Sequence, residues 1–177
     1  EKGQMHILGL FIDFENPELN EILEKIKEGR SRRNDFFIRE FNKMGFEITL
    51  DELKEISGGK IIGKPHFAKI FLRKQYIQNK EEIFENYFNK PPLNTVGKAS
   101  FSPDVLIKAI KNANGIAILA HPLVYPFDGE NKLNEIDMIL KNYELDGLEC
   151  EYPLFNNEER NALKSIALKY NKYVTGG

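Results

Sequence analysis

The sequence predicts an α/β fold that carries an all-helical insertion, and three observations lead there. Short apolar runs at residues 6–12, 116–120, 147–150 and 173–175 read as strands. The later runs are separated by segments with apolar residues at three- and four-residue spacing, the alternation that builds a parallel sheet. From residue 46 to 98, by contrast, short helical patterns follow one another with no strand between them. The expected division is therefore a discontinuous α/β domain, 1–45 and 99–177, interrupted by a helical subdomain, 46–98.

The organising stretch is Gly115-Ile116-Ala117-Ile118-Leu119-Ala120-His121-Pro122. Its apolar core is too short for periodicity to separate a buried strand from a core helix, so the flanks decide. Gly115 breaks the helical pattern upstream, and Pro122 lacks the N–H that a central strand donates. A buried parallel strand results, ending with His121 at its carboxyl edge, where α/β folds place their chemistry.

The remaining elements have local reasons. His6 to Ile12 reads as a buried strand closed by Asp13, and Asn16-Pro17 supplies an N-cap and a first-turn proline. Leu19, Ile22, Leu23 and Ile26 follow at helical spacing, and Phe36, Phe37, Phe41 and Met44 repeat it up to Gly45. One helix or two satisfy this pattern equally. Thr49 and Glu52 fit a capping box for a helix over Asp51 to Ile56, ended by Gly58-Gly59. Lys64-Pro65-His66 opens another, and Lys80 to Phe88 a third, which Pro91-Pro92 ends. Ser102-Pro103 starts a helix to Asn114 that buries Val105, Leu106, Ala109 and Ile110. A loop through Asp128-Gly129 leads to a helix around Leu133, Ile136 and Leu140, and Asn156 to Tyr170 forms the last helix.

Bulk composition narrows the function classes. With 177 residues, 41% hydrophobic and 29% charged, the chain is long enough for a real core. Lys and Arg total 25 against 27 acids, a net of -2, which argues against a globally basic nucleic-acid binder. Cys150 is the one cysteine, so no internal disulfide forms and a reducing compartment fits. No apolar run approaches the roughly 20 residues of a bilayer span. A soluble, cytoplasmic protein with no membrane partner is the expectation. The chain starts at Glu1 and stops at Gly176-Gly177 directly after an apolar stretch, so a piece of a longer protein is expected too.

Three histidines hold the chemical interest. His6 begins a strand, His121 ends one, and His66 follows Pro65 at a helix start. Neutral imidazole is the commonest metal ligand and a proton carrier near neutral pH, whereas a lone histidine more often simply makes a structural hydrogen bond. No His-x-His, His-Glu-x-x-His, Cys-x-x-Cys, P-loop or dinucleotide fingerprint is present. Residues alone therefore lead to an α/β domain with a histidine-based site.

Several motifs, in order, resemble one family. Ala117-Ile118-Leu119-Ala120-His121-Pro122, then Asp146-Gly147-Leu148-Glu149 with Tyr152-Pro153, then Thr175-Gly176-Gly177 resemble the second half of a polymerase-and-histidinol-phosphatase (PHP) domain. His6-Ile7-Leu8-Gly9-Leu10 resembles the His-containing strand of its bacterial branch, metal-dependent phosphoesterases of nucleotides and short RNA. Ile62-Gly63-Lys64-Pro65-His66-Phe67-Ala68 resembles the motif of that branch's helical insertion, with Lys64 where Arg is usual. The likeness covers nearly the whole chain.

What the resemblance implies is specific. The fold would be an incomplete, distorted (β/α)7 PHP barrel holding divalent ions (Mn, Zn, Fe or Mg) at the carboxyl ends of its strands. His6 and His121 would be metal ligands, with Glu149 a lesser candidate. His66 would act catalytically on substrate, with Lys64, Arg30 and Arg33 binding its phosphate. The family's opening His-x-His motif and closing Asp-x-His motif are not among these residues. The implied activity is hydrolysis of nucleotide or short-RNA phosphate esters, with the 177 residues themselves inactive. The alternative is a non-catalytic PHP-like binding or scaffold domain. Open strand edges would also favour self-association.

Overall fold

A computed structural model describes residues 5–97, 99–126 and 131–177. In chain order, strand β1 (Ile7–Leu10) is followed by helices α1 (Pro17–Lys43), α2 (Leu50–Ser57), α3 (Lys64–Arg73) and α4 (Lys80–Ile83), the last continued by a π-helical turn, Phe84–Phe88. Then come α5 (Pro103–Asn112), β2 (Ile116–Leu119), α6 (Lys132–Asn142), β3 (Gly147–Glu151), α7 (Asn157–Lys169) and β4 (Tyr173–Gly176). The pattern between residues 17 and 44 is thus one helix. The loop expected through Asp128-Gly129 lies outside the described residues. No helix among the described residues is long and apolar enough to cross a membrane. The chain divides into two compact units, Glu1–Ile22 with Phe101–Gly177, and Leu23–Ser100.

The first unit is a four-stranded sheet in the order β1-β2-β3-β4. Strands β2, β3 and β4 run parallel, as the alternation with helices requires. Strand β1 runs antiparallel to β2, pairing Ile7 with Leu119 and Leu10 with Ile116. It is also half-buried rather than buried, because it borders β2 on one side only. Ala117 and Leu119 of β2 and Leu148 and Cys150 of β3 pack against Ile107 and Ile110 of α5, Ile136 and Leu140 of α6, and Leu163 and Ala167 of α7. The apolar face of α5 is turned from its expected phase: Ile107 is buried while Val105 is exposed. On the other face of the sheet stand Ile118, Glu149 and Thr175. Gly147 fits between strands because a Cβ there would lie 2.5 Å from Ile118 Cδ1 and 2.8 Å from the Tyr173 carbonyl. At the far end of β1, Phe11 turns the chain at φ 57° with its ring 85% exposed.

The second unit is helical, with an aromatic core. Phe37 and Phe41 of α1 join Leu53, Phe67, Phe71, Ile83 and Phe88, all buried. Phe41 lies 4.7 Å from Phe71 and 5.4 Å from Phe88, mostly edge-on, the arrangement favoured by ring quadrupoles. These two phenylalanines explain why the compact unit begins at Leu23 rather than near residue 46: most of α1 carries part of its core. Local signals hold where expected. Thr49 and Glu52 form a complete capping box for α2, and Gly58 closes the helix at φ 61°.

Candidate metal centre

Strand direction sets the site. Because β1 is antiparallel to β2, its starting end lies beside the carboxyl end of β2, and the Ala120 N–H bonds to the His6 carbonyl at 3.0 Å. His6 and His121, 115 residues apart in the chain, therefore meet at one edge of the sheet. His6 Nδ1 lies 3.1 Å from His121 Nε2, with ring planes at 90° and centroids 5.0 Å apart. His121 itself takes a left-handed backbone conformation, φ 30° and ψ 56°, a costly choice for a residue with a Cβ that re-aims its ring off the strand.

Two groups fix this geometry. The buried Tyr125 hydroxyl, carried on a 3-10 turn that begins at Pro122, accepts the His6 N–H at 2.9 Å and donates to the Ala120 carbonyl at 2.5 Å. Its acidity is suppressed, the pKa pushed up to about 12 by burial, with the nearby Glu149 carboxylate adding to the effect and the His6 hydrogen bond opposing it. Glu149, on β3 and only 3% exposed, accepts the His121 N–H through Oε2 at 2.5 Å. The strand is irregular just beyond it, between Glu149 and Glu151, as is common beside functional sites. Thr175, opposite Glu149 on β4, has its Oγ1 buried without a hydrogen-bond partner among the described residues. Tyr152 packs 5.4 Å from the His121 ring.

The imidazole pair suits a divalent ion in its spacing. Two nitrogens bound to one ion at about 2.1 Å, at angles between about 90° and 109°, stand about 3.0–3.4 Å apart. The observed 3.1 Å falls in that interval, as does a single N–H···N bond. His121 Nδ1 is buried with no hydrogen-bond partner among the described residues, and Nε2 is the ring nitrogen that faces His6. Among the described residues no group of three or more His, Cys, Asp and Glu gathers to hold a metal. The donors present thus fit part of a coordination shell.

The other candidate residues belong to the second unit. Arg33 is buried, 6% exposed, with its guanidinium 5.5 Å from the centre of the Phe37 ring. Burial lowers its pKa, and the neighbouring Arg30 charge adds to this. Lys64 Nζ stands 4.7 Å from the Phe88 ring and 5.8 Å from that of Phe37, so Arg33 and Lys64 share one aromatic platform. His66 Nδ1 accepts the Gly63 N–H at 2.9 Å, capping α3. That bond makes Nδ1 the lone-pair nitrogen, so neutral His66 carries its proton on Nε2 and is a donor there. Arg30 lines a groove beside α1. Residue patterns had no means of finding Tyr125: an aromatic in a short turn has no period to betray it.

No family model matches the chain. It is 22% identical, over all 177 residues and 60% of the relative's length, to the 5′-3′ exoribonuclease Rnm of Escherichia coli (strain K12). It is 27% identical over 132 residues, 71% of this chain and 46% of the relative, to a 5′-3′ exoribonuclease of Haemophilus influenzae. A 3′,5′-nucleoside bisphosphate phosphatase of Chromobacterium violaceum is 26% identical over 119 residues, 67% of this chain and 42% of that protein. Two solved structures share the fold. One, from Bifidobacterium adolescentis and assigned as a metal-dependent phosphoesterase, superposes with TM-score 0.75 at 24% identity over 98% of this chain and 61% of that one. The other, a sulfate-bound and metal-free amidohydrolase from Chromobacterium violaceum, gives 0.78 at 22% identity over 99% and 62%. The chain therefore spans about 60% of the length of the relatives that match it end to end.

Proposed function

We propose that the chain carries part of the centre of a metal-dependent phosphoesterase of the PHP type, acting on phosphate esters of nucleotides or short RNA. The observation that carries this reading is the 3.1 Å approach of His6 Nδ1 to His121 Nε2 at the carboxyl edge of β2. The named activities of the relatives support the substrate class. Helices packed on one face of the sheet, with Glu149 and Thr175 on the other, suit one wall of a barrel.

In this reading His6 and His121 hold a divalent ion, and Tyr125 and Glu149 fix them through the backbone N–H of each. A bound divalent ion supplies an activated water and neutralises charge on the phosphoryl oxygens. His66 donates from Nε2 to a phosphate oxygen. Lys64 and Arg33 provide positive charge, and Arg33 is already placed by its contact with the Phe37 ring. Two imidazoles are fewer than the three protein ligands of a simple catalytic zinc. The described residues by themselves are accordingly expected to bind the ion more readily than to turn over ester. A non-catalytic binding role is the second reading, favoured by the lack of a third gathered ligand among the described residues. Self-association would run along β4, where Tyr173 and Val174 are exposed.

The test pairs calorimetric titration of Mn²⁺ with hydrolysis of a nitrophenyl phosphate ester. Binding lost in both His6→Ala and His121→Ala supports the reading, and any turnover should vanish with it. Binding or turnover that survives both substitutions refutes it.

A further inference from the structure

The second unit contains a groove that the His6–His121 site does not use. It has a volume of about 610 Å³ and runs between α1, the start of α2 and residues 59–62. That volume is in the range of small-ligand sites, about 300–1,000 Å³. Its floor is apolar, with Leu23, Ile26, Leu50 and Ile61, and Ile61 is 64% exposed. Its rim is cationic: Lys27, Arg30, Lys54 and Lys60 stand there against Glu24. Lys27 is paired with Glu24 at 3.1 Å and Lys54 with Asp51 at 3.6 Å. Arg30 and Lys60 have no acid partner among the described residues. A third feature is Asn34, buried in the groove wall. Its Nδ2 donates to the Ile62 carbonyl at 3.2 Å, while its Oδ1 is buried with no donor among the described residues.

We propose that this groove binds a nucleoside monophosphate whose base carries an exocyclic amino group, such as AMP. Three requirements select that class. The apolar floor asks for a flat, weakly hydrated body, which a base supplies. Arg30 and Lys60 ask for an anion, and a phosphate answers both as acceptor and as charge. Asn34 Oδ1 asks for an N–H donor, which the amino group provides and a fatty acid or inorganic phosphate does not. Arg30 and Lys60 thus grip the phosphate, Leu23 and Ile61 sandwich or support the ring, and Asn34 reads the base edge.

The test is isothermal titration of the full chain in EDTA, which takes metal binding at the His6–His121 pair out of the measurement and so separates this proposal from the phosphoesterase reading. The probes are AMP, IMP, octanoate and inorganic phosphate. AMP is expected to saturate one site, and IMP, whose carbonyl replaces the amino group, to bind at least about tenfold more weakly. Ile61→Glu and Lys60→Glu, both at exposed positions, should each weaken AMP about tenfold while leaving the circular dichroism melt unchanged. The proposal is overturned if AMP fails to saturate by about 10 mM, or if octanoate or IMP binds as tightly as AMP. AMP affinity untouched by both substitutions would also overturn it.

Discussion

Replacing Tyr125 with Phe removes one oxygen and asks whether the site is held from its backbone. That oxygen accepts the His6 N–H at 2.9 Å and donates to the Ala120 carbonyl at 2.5 Å. The ring of Phe fills the same space, so no cavity opens and the change isolates the two hydrogen bonds. A buried polar group left unmet costs about 1–3 kcal/mol. The Ala120 carbonyl bond is buried and should cost about 1–2 kcal/mol, whereas the His6 amide is partly exposed and can recruit water, for about 1 kcal/mol or less. The expected loss is about 1–3 kcal/mol. At about 2–4 °C per kcal/mol for a chain of this size, the melting temperature should fall by about 2–12 °C. Urea unfolding followed by far-ultraviolet circular dichroism measures the loss, and cobalt affinity should fall with it because His6 is no longer pinned. A variant within about 0.5 kcal/mol of the parent, with unchanged cobalt affinity, would refute the clamp.

Other predictions follow from the same contacts. The Glu52 carboxyl is held below its ordinary range, first by its hydrogen bond from Lys74 and then by the Thr49 N–H and hydroxyl, although partial burial opposes this. A depressed folded value means that its stabilisation is complete above the unfolded pKa and is lost as pH falls through the folded one. Stability should therefore decline below about pH 4.5, and Glu52→Gln should flatten that acid limb in a urea-against-pH series; an unchanged limb contradicts it. Burial pushes the Cys150 thiol up to about 11, with Glu151 adding and Lys164 opposing. The native chain should resist a thiol-disulfide reagent at pH 8 and react only in urea, so immediate labelling would show that the strand is open. Gly147→Ala should cost about 1–3 kcal/mol, because the new methyl meets the Tyr173 backbone, which cannot step aside. A neutral result in urea unfolding would mean that β3 and β4 are less closely paired.

The sequence made some of this legible and hid the rest for physical reasons. Runs such as Ile116 to Ala120 and Gly147 to Cys150 announce strands because both faces are buried, and the Thr49–Glu52 box and Gly58 announce a helix through its unmet end groups. The direction of β1 was not legible: a strand's side-chain alternation is the same whichever way its neighbour runs. Val105 is exposed although its spacing predicts burial, because Leu106, Ile107 and Ile110 allow more than one apolar stripe on α5. The His6–His121 meeting came from resemblance alone, since no local rule joins residues this far apart. Arg33 showed as one charge among several, and only packing shows it lodged on Phe37 while Arg30 turns toward the groove.

Cobalt titration of the chain, followed by visible absorption, addresses the central claim most directly. The account predicts one ion per chain with nitrogen-ligand bands, and loss of at least about tenfold in affinity in each of His6→Ala and His121→Ala, while His66→Ala binds as the parent does. Equal binding in the parent and in both of the first two variants, or no binding by the folded parent, would contradict it.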